Sequence, residues 1–156
     1  MGCDIHMYSE TLIDDEWVAD TVDTLKYDAK YDIYIMDEFN NCHRDYWFFA
    51  LLAQVRRNCP WGFEAKGFPD DASDEIERIY KEWGSDAHTP SYLTHQELLD
   101  KYNSLPTIKV ECLLSQEFSD ATDVIDNTSP TLKSHIDTFN PGVDKSHQRI
   151  VFWFDN

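Results

Sequence analysis

The chain has 156 residues, 42% of them hydrophobic and 14% aromatic, which excludes a disordered segment and supplies enough material for one self-supporting core. Thirty acidic side chains against thirteen Lys and Arg leave a net charge of −17, which argues against binding nucleic-acid polymers or anionic membranes through a basic face. The same field suits metal cations and basic proteins.

From Cys3 to Glu10 the sequence alternates, with Cys3, Ile5 and Met7 on one side and Asp4, His6, Tyr8 and Glu10 on the other. A period of two predicts a strand with one core face and one polar face. Ile13-Asp14-Asp15-Glu16 predicts a turn, and Trp17 to Val22 the return strand of a hairpin. Tyr31 to Met36 reads as a short strand. Asn40-Asn41 is a helix start signal. His43 to Arg57 then reads as the main buried helix, because Trp47, Phe48, Leu51, Leu52 and Val55 recur at three- and four-residue steps.

Trp61 to Asp71 reads as a loop, followed by a helix from Ser73 or Asp74 with Ile76, Ile79, Tyr80 and Trp83 on its apolar face and Gly84 at its end. Ser85 to Ser91 reads as a second loop. Thr94-His95-Gln96-Glu97 is a capping box that opens a helix through about Tyr102, and Pro106 is expected to stop it. Residues 107–148 read as irregular, with a short helix over Thr131 to Phe139. Arg149 to Asp155 is apolar on both faces, Ile150, Phe152 and Phe154 against Val151 and Trp153, which marks an interior strand lying beside the first. The expected architecture is a single α+β domain over residues 1–156. Its small, mostly antiparallel sheet sets the N-terminal hairpin beside the C-terminal strand and packs with about three helices.

Cysteines at positions 3, 42, 59 and 112 form no C-x-x-C pair, so reduced cytosolic thiols are expected. No apolar run is long enough to span a membrane, and the acidic start is unlike a secretory signal. Met1-Gly2-Cys3 carries His6 where an acylation signal has Ser or Thr, which argues against a lipid anchor.

Three groups of residues are candidates for chemistry. Asp4, His6 and Glu10, with Tyr8 between them, aim imidazole and carboxylates from one side of a strand, a suitable platform for a divalent metal or for acid–base work. Asp86 and His88 repeat the Asp-x-His spacing of Asp4 and His6, and the two units together would supply four ligands. Asn41-Cys42-His43-Arg44-Asp45 opens the predicted buried helix, where Arg44 is a phosphate-binding candidate. Arg56 is its partner only if the side chains reach toward each other, since twelve helical residues span about 18 Å. Each group also has an ordinary reading: a solvated polar strand face, a turn, and arginines paired with nearby acids. Structural zinc at Cys3 and His6 is disfavoured because a strand sends residues 3 and 6 to opposite faces. A Cys/His nucleophile pair, Cys42 with His43 or Cys59 with His88, is a further alternative. His95, His135 and His147 read as surface residues.

The opening Met1-Gly2-Cys3-Asp4-Ile5-His6 resembles that of small uncharacterised phage-encoded proteins. The resemblance continues through Arg44-Asp45-Tyr46, Val55-Arg56, Gly67-Phe68-Pro69-Asp70 and His88-Thr89-Pro90-Ser91-Tyr92-Leu93-Thr94. It implies a viral origin, the host cytoplasm as location, and a shared pattern holding Asp4, His6, Arg44, Arg56 and His88. Asp4-Ile5-His6 is also similar to the Asp-x-His that opens calcineurin-like metallophosphoesterases, although the G-D-x-x-D of that signature is absent.

The resulting expectation is a metal-dependent, phosphodiesterase-like hydrolase of a small nucleotide or phosphorylated substrate, such as a host defence signal. Asp4, His6, Glu10, Asp86 and His88 hold a divalent metal in this reading. Arg44, Arg56 and Tyr8 hold the substrate, and Asp4, His6, Arg44 and His88 carry the catalysis. The alternatives are an acidic, non-enzymatic inhibitor that docks on a basic host protein and a binding protein that sequesters a nucleotide.

Overall fold

The computed structural model describes residues 2–20, 26–28, 33–35, 39, 44–115 and 121–156. Alternation at the N-terminus forms β1 (Asp4–Ile13), which folds back on β2 (Glu16–Ala19). Asp14 and Asp15 close the hairpin with φ of 51° and 66°, the left-handed pair that suits a two-residue turn between twisted strands. The C-terminal strand β6 (Gln148–Asp155) pairs antiparallel with β1 on one side and with β5 (His88–Thr94) on the other. The sheet order is β2-β1-β6-β5, so β1 and β6 are interior, as their sequences demand. β3 (Lys26–Asp28) and β4 (Ile33–Ile35) form a separate antiparallel pair. Thr21, Val22, Tyr31, Met36, Asn40 and Asn41 lie outside the described residues.

The two faces of the sheet are both covered. Ile5, Met7, Ile150, Phe152 and Phe154 pack against α1 (Tyr46–Ala53), α3 (His95–Ser115) and α4 (Ala121–Thr138). Tyr8, Val151 and Trp153 pack against Ile76 and Ile79 of α2 (Asp74–Trp83). The expected α+β architecture holds, with four helices among the described residues where three were expected. No helix among the described residues is long and apolar enough to cross a membrane.

Several boundaries differ from expectation. The buried helix is shorter than 43–57. Asp45 caps its start by accepting the Phe48 N–H at 3.1 Å, and Gln54 ends it at a φ of 60°. The Gln54 amide then bridges the main chain of Cys59, accepting its N–H and donating to its carbonyl oxygen, each at 2.6 Å, so the chain turns back instead of continuing as helix.

The capping box does form, with the Glu97 N–H donating to Thr94 Oγ1 and the Thr94 N–H to Glu97 Oε1. Its helix, however, runs through Pro106 to Ser115. Leu98, Leu105 and Cys112 are buried at seven-residue steps, and that continuous seam outweighs the local penalty of about 3 kcal/mol for an interior proline. In the same way α4 runs through Pro130, with Ile125, Thr128, Leu132 and Ile136 on its buried stripe, so most of 107–148 is helical and not irregular.

His95 and His135, expected on the surface, are buried. His95 stacks on Phe139 at 4.5 Å, and His135 donates from Nδ1 to the Thr131 carbonyl.

Candidate functional site

The register of β1 on β6 places Asp4 opposite Asp155, Ile5 opposite Phe154 and His6 opposite Trp153. Asp155, which carried no signal as a site residue in the sequence, therefore stands beside the predicted Asp4–His6 pair. Its Oδ2 lies 3.0 Å from His6 Nε2, and its Oδ1 accepts the Asp4 N–H at 3.2 Å. The His6 ring packs at 4.1 Å from the Trp83 ring of α2.

Arg44 reaches the same sheet end and donates to both Asp4 oxygens, Nε at 2.7 Å and Nη2 at 3.0 Å. Gly2 leaves room for it: a Cβ there would sit 1.9 Å from Arg44 Nη1. Arg56 comes to this end as well, because the turn after α1 and its own φ of 68° reverse the chain. Its guanidinium lies over the Tyr46 ring, hydrogen-bonds the Cys3 side chain and reaches Asn156. Both arginines therefore reach one sheet end instead of standing about 18 Å apart along one regular helix.

The electrostatics of this end follow from its pairs. The Arg44 guanidinium holds the Asp4 carboxyl below the usual range, and Asp4 in turn raises the proton affinity of Arg44. A carboxyl depressed by folding adds stability above its unfolded pKa and loses it as pH falls through the folded value. Both side chains are about half exposed, so that contribution is small. Burial pushes the Cys3 thiol up, against the opposing pull of Arg56.

The other predicted ligands do not join them. Glu10 is fully buried, with Oε1 accepting from Arg149 Nε at 2.7 Å and Oε2 from the Ser73 N–H at 2.6 Å. Tyr8 is buried and stacks on Trp153 at 5.5 Å, facing packing rather than an open substrate site. Asp86 is exposed in a short 3-10 turn after α2. His88 belongs to β5 and not to a loop, and its edge position tolerates the missing N–H of Pro90.

His88 pairs with Phe154, its ring stacks on that residue at 6.0 Å, and Phe154 meets Phe49 of α1. His6 meets Trp83 of α2. The two imidazoles thus share one end of the sheet but lie on opposite faces of it. The shared cleft that a joint metal site requires is not formed. Among the described residues no group of three or more His, Cys, Asp or Glu could hold a metal ion. Burial pushes the Cys59 thiol up to about 11, which removes it as a thiolate nucleophile at neutral pH. Asn41, Cys42 and His43 lie outside the described residues.

A different feature opens beside the hairpin. A cleft of about 430 Å³ is lined by Asp15, Glu16, Trp17 and Val18 from the hairpin and by residues 71–75 at the start of α2. Of its five acids, Asp71 pairs with Arg149 Nη1 at 2.9 Å. Asp15, Glu16, Asp74 and Glu75 have no ion-pair partner among the described residues. The Arg149 guanidinium lies over the Trp17 ring at 4.0 Å and ties this cleft to the buried Glu10. Asp74 and Glu75 also favour the N-terminus of α2 through its dipole. The acidic pairs Asp15-Glu16 and Asp74-Glu75 are visible in the sequence, but only the fold brings them around one space.

Comparison with family models, with curated proteins and with solved structures finds no match for this chain.

Proposed function

We propose that this chain is a non-enzymatic acidic binding protein that docks on a basic protein surface. The observation that carries this reading is the set of carboxylates, Asp15, Glu16, Asp74 and Glu75, that have no ion-pair partner among the described residues and are held around one open cleft on a chain of net charge −17. An excess of one sign steers an oppositely charged partner and speeds its encounter. The residues expected to carry catalysis are engaged elsewhere: Asp4 with Arg44, His6 with Asp155 and Trp83, His88 against Phe154. A metal site shared by His6 and His88 would have to break these pairs and bring one imidazole to the other side of the sheet. The resemblance to phage proteins makes a host cytoplasmic protein the natural class of partner.

The test is binding to immobilised polylysine at two salt concentrations. Raising ionic strength from about 0.1 M to about 1 M shortens the Debye length from about 10 Å to about 3 Å. Affinity is expected to fall by at least about tenfold over that range, and chelator is expected to have no effect. Absence of binding at low salt, or binding that ignores salt, overturns the proposal.

A further inference from the structure

We infer that the open edge of β2 receives an extended basic segment of a partner protein as one more antiparallel strand, with a cationic side chain on either side of a β-branched one. This inference rests on the docking role proposed above and specifies the form and chemistry of the docked segment.

The two edges of the four-stranded sheet are β2 and β5. β5 is closed to a further strand. Pro90 has no N–H to give, the Gly67 N–H already donates to the Pro90 carbonyl at 3.0 Å, and the Lys66 N–H donates to Ser91 Oγ at 3.0 Å. β2 has neither a proline nor, among the described residues, a covering loop. In an antiparallel ladder, residue pairs alternate between bonded and unbonded positions. The Asp20 N–H donates to the Ser9 carbonyl at 3.1 Å, which fixes that alternation along the β1–β2 register. Glu16 and Val18 therefore turn their main-chain groups to β1, while Trp17 and Ala19 turn theirs to the outer side. No hydrogen-bond partner for those outer groups stands among the described residues. A row of outward donors and acceptors is the template on which a peptide adds as a strand.

The side chains along this edge select the occupant. Glu16, Val18 and Asp20 are exposed and, two residues apart, share one face of the strand. Val18 is 37% exposed, with Ile13 of β1 diagonal to it on the same face at 51%. A second copy of this chain pairing across the edge about Val18 would set Glu16 opposite Asp20, acid against acid, which is unfavourable. The net charge of −17 adds to that repulsion. A strand with Lys or Arg opposite Glu16 and Asp20, and a β-branched residue opposite Val18, makes two opposite-charge pairs and covers the exposed valine. The acids that keep this chain's own copies off the edge thus admit a basic strand.

The probe is an acetylated, amidated and fluorescently labelled Lys-Thr-Val-Thr-Lys peptide, titrated with the natural chain at low salt and read by anisotropy. Docked about Val18, its two Thr N–H groups point to β2, while its Val and second Lys N–H groups point away. N-methylation of both Thr is expected to weaken binding about tenfold relative to N-methylation of Val and the second Lys, because only the first removes hydrogen bonds to the edge. Replacing both Lys of the peptide with Glu is expected to weaken binding by at least about tenfold. Equal affinity of the two N-methylated peptides overturns strand addition and leaves the general docking reading standing. Equal affinity of the Glu peptide overturns the choice of a basic occupant. Failure of the unmodified peptide to bind where polylysine binds overturns this inference alone, and failure of both overturns the docking role with it.

Discussion

Replacing Arg149 with methionine will destabilise the fold by about 3–5 kcal/mol in denaturant unfolding. Arg149 and Glu10 form an ion pair between two strands at the centre of the sheet, with side chains 3% and 0% exposed. Removing the guanidinium leaves the Glu10 carboxylate in the interior with the Ser73 N–H as its remaining bond. The large loss comes from stranding that charge, not from the intrinsic strength of the pair. The double variant Glu10→Gln/Arg149→Met is therefore expected to recover much of the loss, since it removes both charges at once. A loss under about 1 kcal/mol for the single variant would show that water reaches Glu10 and that this centre is not sealed. The same pair braces the cleft, because Arg149 also holds Asp71 and covers Trp17.

Phe49→Ala is expected to cost about 3–5 kcal/mol, measured the same way. Phe49 is fully buried and meets Phe154 edge-on at 5.1 Å and Tyr46 at 5.5 Å. The Tyr46 hydroxyl accepts the Cys3 N–H at 3.1 Å, so the ring supports the strand end that carries Asp4 and His6. Alanine leaves a void that the interior sheet and α1 cannot close together, because both are fixed by other packing. Phe49→Leu, which fills most of that space, should lose clearly less. Equal losses for the two variants would mean that ring geometry, and not filled volume, holds this layer.

The sheet was legible because Cys3 to Glu10 alternates with a period of two and Ile150 to Phe154 is a short apolar run of β-branched and aromatic residues at strand length. Both are interior strands, and burial is complete over residues 7–10 of β1 and over residues 148–154 of β6. α2 was legible from its apolar face and Gly84. α3 and α4 were legible only in part, α3 from its capping box to about Tyr102 and α4 over Thr131 to Phe139, because Pro106 and Pro130 are local stop signals, while the seams of Leu98, Leu105 and Cys112 and of Ile125, Leu132 and Ile136 gain their weight only from each other. Local preference and tertiary packing conflict there, and packing prevails.

Asp4, His6, Arg44 and Arg56 do gather at one sheet end, but the sequence could not show that Asp155 would meet His6 there. Nor could it place His88 on the other face, because the register shift between His88 and Ser91 depends on the pairing of β5 with β6. The cleft was hidden for a similar reason: residues 15–18 and 71–75 are neighbours only after the hairpin meets α2.

The central claim, that this chain docks on a basic protein surface through the acidic face at the hairpin cleft, is tested most directly by mapping amide chemical shifts while a short oligolysine peptide is added at low salt. The largest changes are predicted at Asp15 to Val18 and at Asp71 to Glu75, with Asp4, His6 and Asp155 little moved. Changes concentrated at Asp4, His6 and Asp155, with the cleft silent, would contradict it.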